Sequence, residues 1–475
     1  MTSTDRGPLP RRTLLRGVGA LTAAAALTHP ATATADTLDW AGLRKPLRGK
    51  LLLPSDGEYR SAKQLFDPKF DSGAPVAVVE ATASSDVTAA VAFAREHRVP
   101  LAARAGGHSY VGASATTGAL VVDVRGLDDI TLTGDLVTVG AGVRIRTVLA
   151  ELNKSGRSLP IGSCPTVGLA GLTLGGGLGV DSRRYGLTCD ALESADVVLP
   201  GGGTAHTSAE SWPGLFWALR GGVGSAGILT SLTFRTVPSQ ARDIVRIGFP
   251  ADAAVQALTG WARWLPTADR SVWSNVEIGA TAGTVECSMM MVTPAGQGAA
   301  AAAGVTAAVA RTPTSTTRRT LDHLAAADAI AGGSTIPRST KVAGSDVLRE
   351  LNAAVAGTIV DIVTARSRSG AAGYVLVDPL DGAVRDTRAD ATAFPWRAHA
   401  ATLQWIVDEP DSPDDARAWI TAAHRALGSA SVGAYANYAE PGVTADRYYA
   451  GNLSRLRTLA RSVDPNRLLR TGITL

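Results

Sequence analysis

Short apolar runs alternate with helically spaced apolar positions along the first part of the chain. The runs at 76–80, 119–124 and 136–142 are rich in valine and predict strands. Apolar residues at positions 87, 90, 91 and 94, and again at 145, 148, 149 and 152, recur with the period of a helix. Because some predicted strands follow one another directly and others are separated by helices, the pattern favours an α+β fold over a strictly parallel sheet.

Polar residues and glycines mark the ends of these elements. Ser84 and Ser85 are predicted to cap the first helix, with Asp86 in its first turn. Gly156 is predicted to end the second helix. The glycine-rich segment 197–206 is predicted to form a hairpin.

The length of 475 residues predicts two domains. The segment 237–240 is the predicted boundary, since the texture of the sequence changes after it: Trp261, Trp264 and Trp273 follow, and then an alanine-rich helix predicted at 297–311. From residue 432 glycine, tyrosine and asparagine become frequent again. Because so short a tail cannot bury a core of its own, we expect it to pack onto the first domain.

The first 35 residues are predicted to be an export signal. Arg11 and Arg12 precede a short apolar stretch, and Ala-Thr-Ala at 33–35 suits a signal peptidase. The arginine pair followed by Leu14 and Leu15 resembles a twin-arginine signal, with an ordinary secretion signal as the alternative. The apolar stretch is too short to span a membrane, so we expect a secreted or otherwise extracytoplasmic protein without a membrane span.

Charge and cysteine content argue against several classes of protein. The formal net charge is +4, and the first 35 residues carry four arginines and one aspartate, so the remainder is close to neutral. That balance predicts no nucleic-acid partner. Three cysteines do not make a disulfide framework, and the seven histidines lack the spacing of a metal site.

Gly106 and Gly107 stand directly before His108. Two glycines beside an imidazole let the main chain approach a flat ligand or a phosphate closely. A strand-ending turn with a bystander histidine is the alternative. The glycine runs at 168–179 and 197–206 match neither a nucleoside-triphosphate P-loop nor a dinucleotide-binding fingerprint.

Five separated motifs become informative together. In chain order they are GGHSYVG at 106–112, GSCPTVGLAGLTLGGGLG at 162–179, YGLTCD at 185–190, GLFWALRGG at 214–222 and YANY at 435–438. This order resembles that of the berberine-bridge-enzyme-like flavoproteins, a branch of the vanillyl-alcohol-oxidase / p-cresol-methylhydroxylase FAD family. The resemblance covers about residues 50–240 and 390–475 and is weak between them.

The resemblance implies an α+β fold in which a two-part FAD-binding domain of the p-cresol-methylhydroxylase type carries an inserted antiparallel-sheet substrate domain. After the signal at 1–35, the FAD-binding domain is expected over 40–240 and the substrate-binding domain over 241–430. A C-terminal segment, 431–475, is expected to return to the FAD domain.

The resemblance also implies FAD held by two covalent links. His108 matches the histidine that bonds to the 8α-methyl group of the isoalloxazine, and Cys164 matches the cysteine that bonds to its C6 atom. Both links need a nucleophile, a neutral imidazole nitrogen and a thiolate. The other residues expected to bind the cofactor are Arg104, Ala105, Gly106, Gly107, Ser109, Gly112, Pro165, Thr166, Val167, Gly168, Gly171, Gly175, Gly176, Gly179, Gly227, Ile228 and Asn437.

Four residues match catalytic positions of the family. Tyr435 corresponds to the base that takes the substrate hydroxyl proton, and Tyr438 is the second candidate. An unperturbed phenol titrates near ~10, so such a base needs a cation or the field of the flavin. Gln404 is expected to orient the substrate, and Tyr110 matches another active-site position.

Departures from the family pattern bear on the substrate. Leu178 and Trp396 replace a tyrosine and a histidine expected near the substrate, so plant alkaloid or monolignol substrates are not expected. Ser225 and Ala226 replace the usual Asn-Phe pair. Val167 matches a position where a small branched residue lets dioxygen reach the flavin, which favours an oxidase.

The sequence therefore predicts an exported FAD oxidase. It would convert a hydroxyl or hemiacetal carbon of a sugar or natural product of secondary metabolism to a carbonyl, with O2 reduced to H2O2. The partners expected are a small-molecule substrate and O2, and the oligomeric state stays open. The alternatives are oxidative ring closure, a dehydrogenase with another electron acceptor, and a binding protein on a degenerate flavin fold.

Overall fold

The computed structural model describes residues 38–475. The predicted export signal at 1–35 lies outside the described residues. No helix within residues 38–475 is long and apolar enough to cross a membrane.

The strands of the described part are short in the first half and longer in the second. They are β1 Lys50–Leu52, β2 Ala77–Glu80, β3 Leu101–Arg104, β4 Leu120–Asp123, β5 Ile130–Thr133, β6 Leu136–Gly140, β7 Arg157–Ser158, β8 Leu192–Val198, β9 Thr204–Ser208, β10 Ile228–Arg235, β11 Val237–Pro238, β12 Arg242–Phe249, β13 Trp273–Thr281, β14 Thr284–Pro294, β15 Ser315–Leu321, β16 Lys341–Leu348, β17 Gly373–Pro379, β18 Ala401–Asp408 and β19 Ser431–Gly433.

The helices lie between these strands and at the C-terminal end. They are α1 Trp40–Arg44, α2 Tyr59–Ala62, α3 Ser84–His97, α4 Ile145–Asn153, α5 Leu169–Leu174, α6 Ser182–Tyr185, α7 Pro213–Leu219, α8 Ala254–Trp264, α9 Gly298–Val309, α10 His323–Ala331, α11 Ala353–Arg368, α12 Pro413–Leu427, α13 Asp446–Tyr449 and α14 Leu453–Val463.

The strands form three larger sheets and one two-stranded ribbon in the described part. A four-stranded sheet has the order β1-β2-β4-β3, with β2, β4 and β3 parallel and β1 antiparallel. An antiparallel five-stranded sheet has the order β5-β6-β10-β8-β9, and an antiparallel eight-stranded sheet the order β15-β12-β14-β13-β17-β18-β16-β19. Mixed parallel and antiparallel sheets with interspersed helices confirm the predicted α+β fold class.

Two separate apolar cores account for most of the buried side chains. One gathers the first two sheets with α3, α4 and α7, and the other gathers the eight-stranded sheet with α8, α9, α11 and α12. The valine-rich strands β2 and β4 are buried on both faces, as their continuous apolar sequence requires. This separation of cores supports the predicted domain boundaries, which stay a prediction.

The C-terminal segment joins the first core rather than forming its own. Leu456 and Tyr448 are buried within that core. The main chain of Leu101 in β3 donates to Leu468 O and accepts from Arg470 N, both at 2.8 Å. These bonds extend the edge of the four-stranded sheet, so the tail packs onto the first half of the chain.

The start of α3 differs from the predicted serine cap. The residue before the helix is Ala83, and neither Ser84 nor Ser85 accepts a capping hydrogen bond. The fully buried Asp86 carboxylate instead accepts main-chain N–H bonds from Arg48 and Gly49, at 2.8 and 3.0 Å. It also accepts the N–H groups of the two residues before the helix, at 2.9 and 3.2 Å. One carboxylate thus joins the β1 segment to α3 more strongly than a serine hydroxyl would.

Removing this carboxylate is expected to destabilise the fold. Asp86→Ala leaves four main-chain N–H groups without an acceptor, which costs about 2–4 kcal/mol. The measurement is urea unfolding at pH 7, with Asp414→Ala, an exposed first-turn aspartate of α12, as the matched control that changes stability by under ~0.5 kcal/mol.

The same contribution is expected to depend on pH. Although burial opposes it, four main-chain N–H groups hold the pKa of Asp86 below its usual value. The stabilisation is therefore present above the unfolded pKa near ~3.9 and is lost as the pH falls through the lower folded value. Equal stability of parent and Asp86→Ala at pH 7 would contradict this account.

Candidate active site

A cavity of about 620 Å³ lies where the two cores meet. Its walls come from the loop at 105–111 after β3, the loop and helix at 162–174, and the turn at 223–229. Strands β17 and β18 of the eight-stranded sheet and the segment 436–439 close the other side. The cavity therefore brings together segments that are far apart in the sequence.

Two glycines bring the first two of these loops into main-chain contact. A Cβ atom built on Gly106 would lie 2.2 Å from the nitrogen of Gly168, and one built on Gly168 would lie 2.4 Å from the nitrogen of Gly106. Neither position tolerates a side chain without a main-chain shift. This contact places the loop of His108 beside the loop of Cys164.

The cavity fits FAD. Its volume is in the range of cofactor sites, roughly 300–1,000 Å³. Ala103 is exposed although the rest of β3 is buried, and a Cβ on Gly171 would meet no atom within 4 Å. Both residues line the cavity. A long wall of small residues leaves the main chain accessible to a flat, extended ligand.

His108 is half-buried in this wall. Its ring stacks on Phe66 with centroids 4.0 Å apart, and its Nε2 lies 3.0 Å from the hydroxyl of Thr166. Burial, followed by the charges of Lys341 and Arg144, lowers the pKa of His108 to about 4, against a smaller opposing effect of the Thr166 main chain. The imidazole is therefore neutral at ordinary pH, which is its nucleophilic form.

Cys164 differs from the other two cysteines. It is half-buried and lines the cavity, whereas Cys189 and Cys287 are buried elsewhere. Burial raises the pKa of Cys287 to about 12 and that of Cys189 further. Only Cys164 among the three thiols is thus placed to react with a ligand in the cavity.

The two tyrosines of YANY point to different places. Tyr438 lines the cavity, stacks on Tyr110 at 5.7 Å and meets Tyr435 edge-on at 4.8 Å. Tyr435 is 2% exposed and does not line the cavity. Its hydroxyl oxygen accepts from the main-chain N–H of Gly177 at 2.9 Å and from Asn437 Nδ2 at 2.8 Å. Tyr435 therefore supports the loop, and Tyr438 is the tyrosine that a ligand reaches.

A carboxylate without any sequence signal lies on the same side as Tyr438. Asp378 alternates with Tyr374 and Leu376 along β17, and both of these line the cavity. Burial raises the pKa of Asp378 to about 6, against a hydrogen bond from Asn275 at 3.3 Å. Burial first and then the charge of Asp378 raise the pKa of Tyr438 well above its usual value. Asp378 is thus a buried carboxyl group whose charge acts on the cavity tyrosine.

Gln404 and Tyr110 form a polar pair on the sheet side of the cavity. Gln404 Nε2 donates to the Tyr110 hydroxyl at 2.7 Å, and both residues line the cavity. Burial, followed by the charge of Cys164, raises the pKa of Tyr110. The phenol stays protonated and serves as a hydrogen-bonding group.

A second polar group, also missed by sequence analysis, lies near the end of β18. The hydroxyl of Tyr374 donates to Asp408 at 2.8 Å, and the Lys341 ammonium lies 3.3 Å from the same carboxylate. Lys341 and Tyr374 line the cavity. These strands lie in the region without motifs, and only their pairing across the sheet brings the three side chains together.

The buried Asp346 in β16 holds the segment of the two tyrosines from behind. Its carboxylate accepts from Trp405 Nε1 and His424 Nδ1, each at 2.8 Å, and from Arg447 Nη2 at 2.5 Å. His424 Nε2 lies 2.9 Å from Glu440. These bonds connect the eight-stranded sheet to the chain on both sides of YANY, so the tyrosines have fixed positions.

Most of the residues predicted from the sequence do line the cavity. They are Ala105, Gly106, Gly107, His108, Ser109, Tyr110, Cys164, Pro165, Val167, Gly168, Gly171, Gly227, Ile228, Gln404, Asn437 and Tyr438.

Seven predicted residues do not line the cavity. They are Arg104, Gly112, Thr166, Gly175, Gly176, Gly179 and Tyr435. The Arg104 side chain is buried and pairs with Asp123 at 2.6 Å, on the face of β3 away from the cavity. A Cβ on Gly175 would lie 2.0 Å from Asn437 Oδ1, so this glycine makes room for the asparagine.

Of the two departures from the family pattern that were expected near the substrate, one lines the cavity and the other does not. Leu178 lines the cavity, as expected of a position near the substrate. Trp396 does not; it is 3% exposed, and its Nε1 donates to Ala434 O at 2.9 Å. The expectation that Trp396 lies near the substrate is therefore wrong in one respect: the indole does not line the cavity. It packs against the segment before YANY instead.

Comparison with known proteins agrees with the cavity. Residues 75–208 match the sequence family described as FAD binding domain. The uncharacterised FAD-linked oxidoreductase YgaK of Bacillus subtilis is 29% identical over 438 residues, covering 89% of this chain and 96% of that protein. The chitooligosaccharide oxidase of Gibberella zeae is 37% identical over 166 residues, 34% of each chain.

Solved structures share the fold. A xylooligosaccharide oxidase from Myceliophthora thermophila in complex with xylobiose has a TM-score of 0.82 at 24% identity, covering 93% of this chain and 99% of that chain. A glucooligosaccharide oxidase from Acremonium strictum, described as carrying 6-S-cysteinyl, 8α-N1-histidyl FAD, has a TM-score of 0.82 at 21% identity, covering 90% and 96% of the two chains.

The fold and the cavity define an FAD-linked oxidoreductase with a p-cresol-methylhydroxylase-type FAD-binding domain. Within that class, a berberine-bridge-enzyme-like protein of Physcomitrella patens shares the fold of this chain, with a TM-score of 0.82 at 22% identity, in agreement with the family that the order of the motifs resembles. Its cofactor is FAD.

The positions of His108 and Cys164 generate a prediction about attachment. We expect acid-precipitated holoprotein to retain its flavin, and His108→Ala and Cys164→Ala each to retain it through the remaining link. The double variant is expected to release all of it. Visible absorbance measures the flavin that stays with the protein, and peptide mass spectrometry identifies the residue that carries it. Cys287→Ala is the control that is expected to keep both links. Complete release from the parent protein would contradict double attachment.

Proposed function

We propose that the chain is an exported oxidase that converts a hydroxyl or hemiacetal carbon of a sugar to a carbonyl, with O2 reduced to H2O2. One observation supports the proposal: Tyr438 and the hydrogen-bonded pair Gln404 and Tyr110 line the same cavity as His108 and Cys164, and the charge of Asp378 acts on Tyr438. Several proteins of the same fold are named as oligosaccharide oxidases.

FAD is proposed to occupy the cavity with its ring between the two halves. His108 and Cys164 are the proposed attachment residues, and the Gly106–Gly168 contact and Gly171 leave room for the rest of the cofactor. FAD supplies a two-electron acceptor for the hydride of the substrate carbon and a site for reoxidation by O2.

Tyr438, rather than Tyr435, is the proposed base. Its ring lines the cavity, and Asp378 is near enough to raise its pKa. A neutral phenol is a weak base, so we propose that Tyr438 Oη takes the substrate hydroxyl proton as its own proton moves to the Asp378 carboxylate. This transfer keeps the phenol neutral.

The other cavity residues are proposed to orient the substrate. Gln404 and Tyr110 present a joined amide and hydroxyl, which suits the hydroxyl groups of a sugar. Rings such as Tyr110 and Tyr374 offer flat apolar faces for the C–H faces of a pyranose. Val167 lines the cavity beside these groups and is the proposed point of access for O2.

The proposed route of export is the twin-arginine pathway. The arginine pair at 11–12 supports it. That pathway carries folded proteins, which suits a protein that attaches its cofactor before export.

A peroxide-coupled screen of mono- and oligosaccharides tests the function. We expect H2O2 release in proportion to the carbonyl formed, and a rate of release at least about 100-fold lower from Tyr438→Phe. Substrate-reduced flavin that stays bleached for minutes in air would point to a dehydrogenase, and a ring-closed product without a new carbonyl would point to cyclisation.

Replacing each of the two YANY tyrosines by phenylalanine separates their roles. Tyr438→Phe is expected to lower kcat by about 10²–10⁴-fold, because it removes the proton-transfer group. Tyr435→Phe is expected to lower kcat by less than about tenfold and to lower stability, because its oxygen only anchors the loop. Steady-state kinetics with thermal unfolding measures both. Equal loss of kcat in the two variants would contradict the assignment.

The role of Asp378 predicts a pH dependence. Since burial raises its pKa to about 6, the carboxylate needed to accept a proton is lost as the pH falls below about 6. We expect kcat to rise between pH 4.5 and 7 in the parent and to be low and flat in Asp378→Asn. A parent profile without this limb would remove Asp378 from the mechanism.

A further inference from the structure

Thr166 lies between the two proposed attachment residues. Its Oγ1 is 3.0 Å from His108 Nε2 and 3.8 Å from Cys164 Sγ. It was expected to bind the cofactor, but it is not among the residues that line the cavity. Its hydroxyl contacts both nucleophiles without occupying the space in front of them.

The imidazole of His108 has little freedom. Phe66 covers one face of the ring, with the two rings inclined by only 20°. Nε2 is engaged by Thr166, while Nδ1 makes no hydrogen bond to another side chain within residues 38–475. The two nitrogens of the ring are therefore held in different environments.

We infer that Thr166 is the positioning residue for flavin attachment, and that its hydroxyl selects Nδ1 of His108 as the nitrogen that bonds to FAD. The inference rests on the covalent attachment proposed above, for which the 8α-N1-histidyl link of the glucooligosaccharide oxidase already indicates Nδ1. It goes beyond that proposal by naming the residue that fixes the ring. Thr166 itself forms no bond to the cofactor.

The chemistry of a neutral imidazole supports the selection. Only one ring nitrogen carries a proton, and the lone pair of the other is the nucleophile. We place the proton on Nε2, which then donates to Thr166 Oγ1 and leaves the lone pair on Nδ1. The low pKa of His108 keeps the ring in this neutral form. A ring without the hydroxyl partner would distribute its proton between the two nitrogens.

The attachment step balances with dioxygen as the oxidant. A bond forms between Nδ1 and the 8α carbon, and one C–H bond of the 8α-methyl group breaks with release of its proton. The Nε2 proton leaves by way of Thr166 Oγ1. The two electrons of the C–H bond are taken up by the ring system and passed to O2, which with the two protons gives H2O2.

Three substitutions in the full-length chain test the inference. Thr166→Val keeps the shape and removes the hydroxyl, and Thr166→Ser restores a hydroxyl. Thr173→Val is the matched control, because Thr173 is a nearby buried threonine whose hydroxyl bonds only to Leu169 O, at 2.8 Å. Cells are harvested at a fixed short time after induction. Peptide mass spectrometry gives the fraction of chains with flavin on His108, and separately on Cys164.

The linkage isomer is read from the same samples. Acid hydrolysis releases the histidyl-flavin, which is compared by chromatography with synthetic Nδ1- and Nε2-linked standards. We expect Nδ1 linkage in the parent, in Thr166→Ser and in Thr173→Val. In Thr166→Val we expect about five- to tenfold fewer His108-linked chains, the effect of losing one hydrogen bond, or a mixture of both isomers.

The outcomes separate this inference from the proposal beneath it. An unmodified His108 in the parent contradicts covalent attachment itself. A modified parent with Nε2 linkage, or a Thr166→Val protein equal to the parent in both amount and isomer, overturns the role of Thr166. Retention of the Cys164 link in Thr166→Val shows that the variant has folded and bound FAD, so a loss at His108 is then specific.

Discussion

The main-chain contact between Gly106 and Gly168 is the constraint on which the rest of the site depends. It joins the end of a parallel sheet to the loop before α5, and it does so at a distance that no side chain permits. Because these two loops meet, His108, Thr166 and Cys164 lie within one hydrogen-bonded group. A nucleophile with a low pKa and an accessible thiol then share one wall of a single cavity.

The opposite wall depends on a different kind of interaction. Asp346 is fully buried, and its carboxylate is compensated by His424, Arg447 and the indole of Trp405. Although burial opposes it, the carboxylates of Asp346 and Glu440 raise the pKa of His424 to about 9, so the imidazole is charged at neutral pH. Removing one partner from such a group leaves an uncompensated buried charge, which strongly destabilises the protein. It holds the short C-terminal segment, which has no core of its own, against the eight-stranded sheet.

Together the two walls divide the chemistry between the two parts of the chain. The first part provides the main-chain-lined space for FAD and the proposed attachment residues. The eight-stranded sheet and the YANY segment provide the groups proposed to meet the substrate. Because only the side chains of alternate residues in β17 and β18 face the cavity, the sheet can change its substrate contacts without changing its buried core.

Sequence analysis located much of the site because its motifs combine glycines with reactive side chains. His108, Cys164, Gln404 and Tyr438 were all identified by number from motifs or positions next to them, and all four line the cavity. Asp378 was missed, because an aspartate within the strand GYVLVDP carries no local signal and its neighbours Tyr374 and Leu376 resemble ordinary strand residues.

The amino-acid sequence by itself determined the fold class, the FAD-binding family and the loops that carry the nucleophiles, since glycine spacing and apolar periodicity are local properties of the chain. Only the tertiary structure shows that Tyr438 lines the cavity and that Tyr435 is buried behind it. The 3₁₀ turn at Ala436–Tyr438 directs one ring into the interior and the other into the cavity. It also brought Asp378 and Lys341 to the site, because pairing between strands far apart in sequence is set by packing and register rather than by any local pattern.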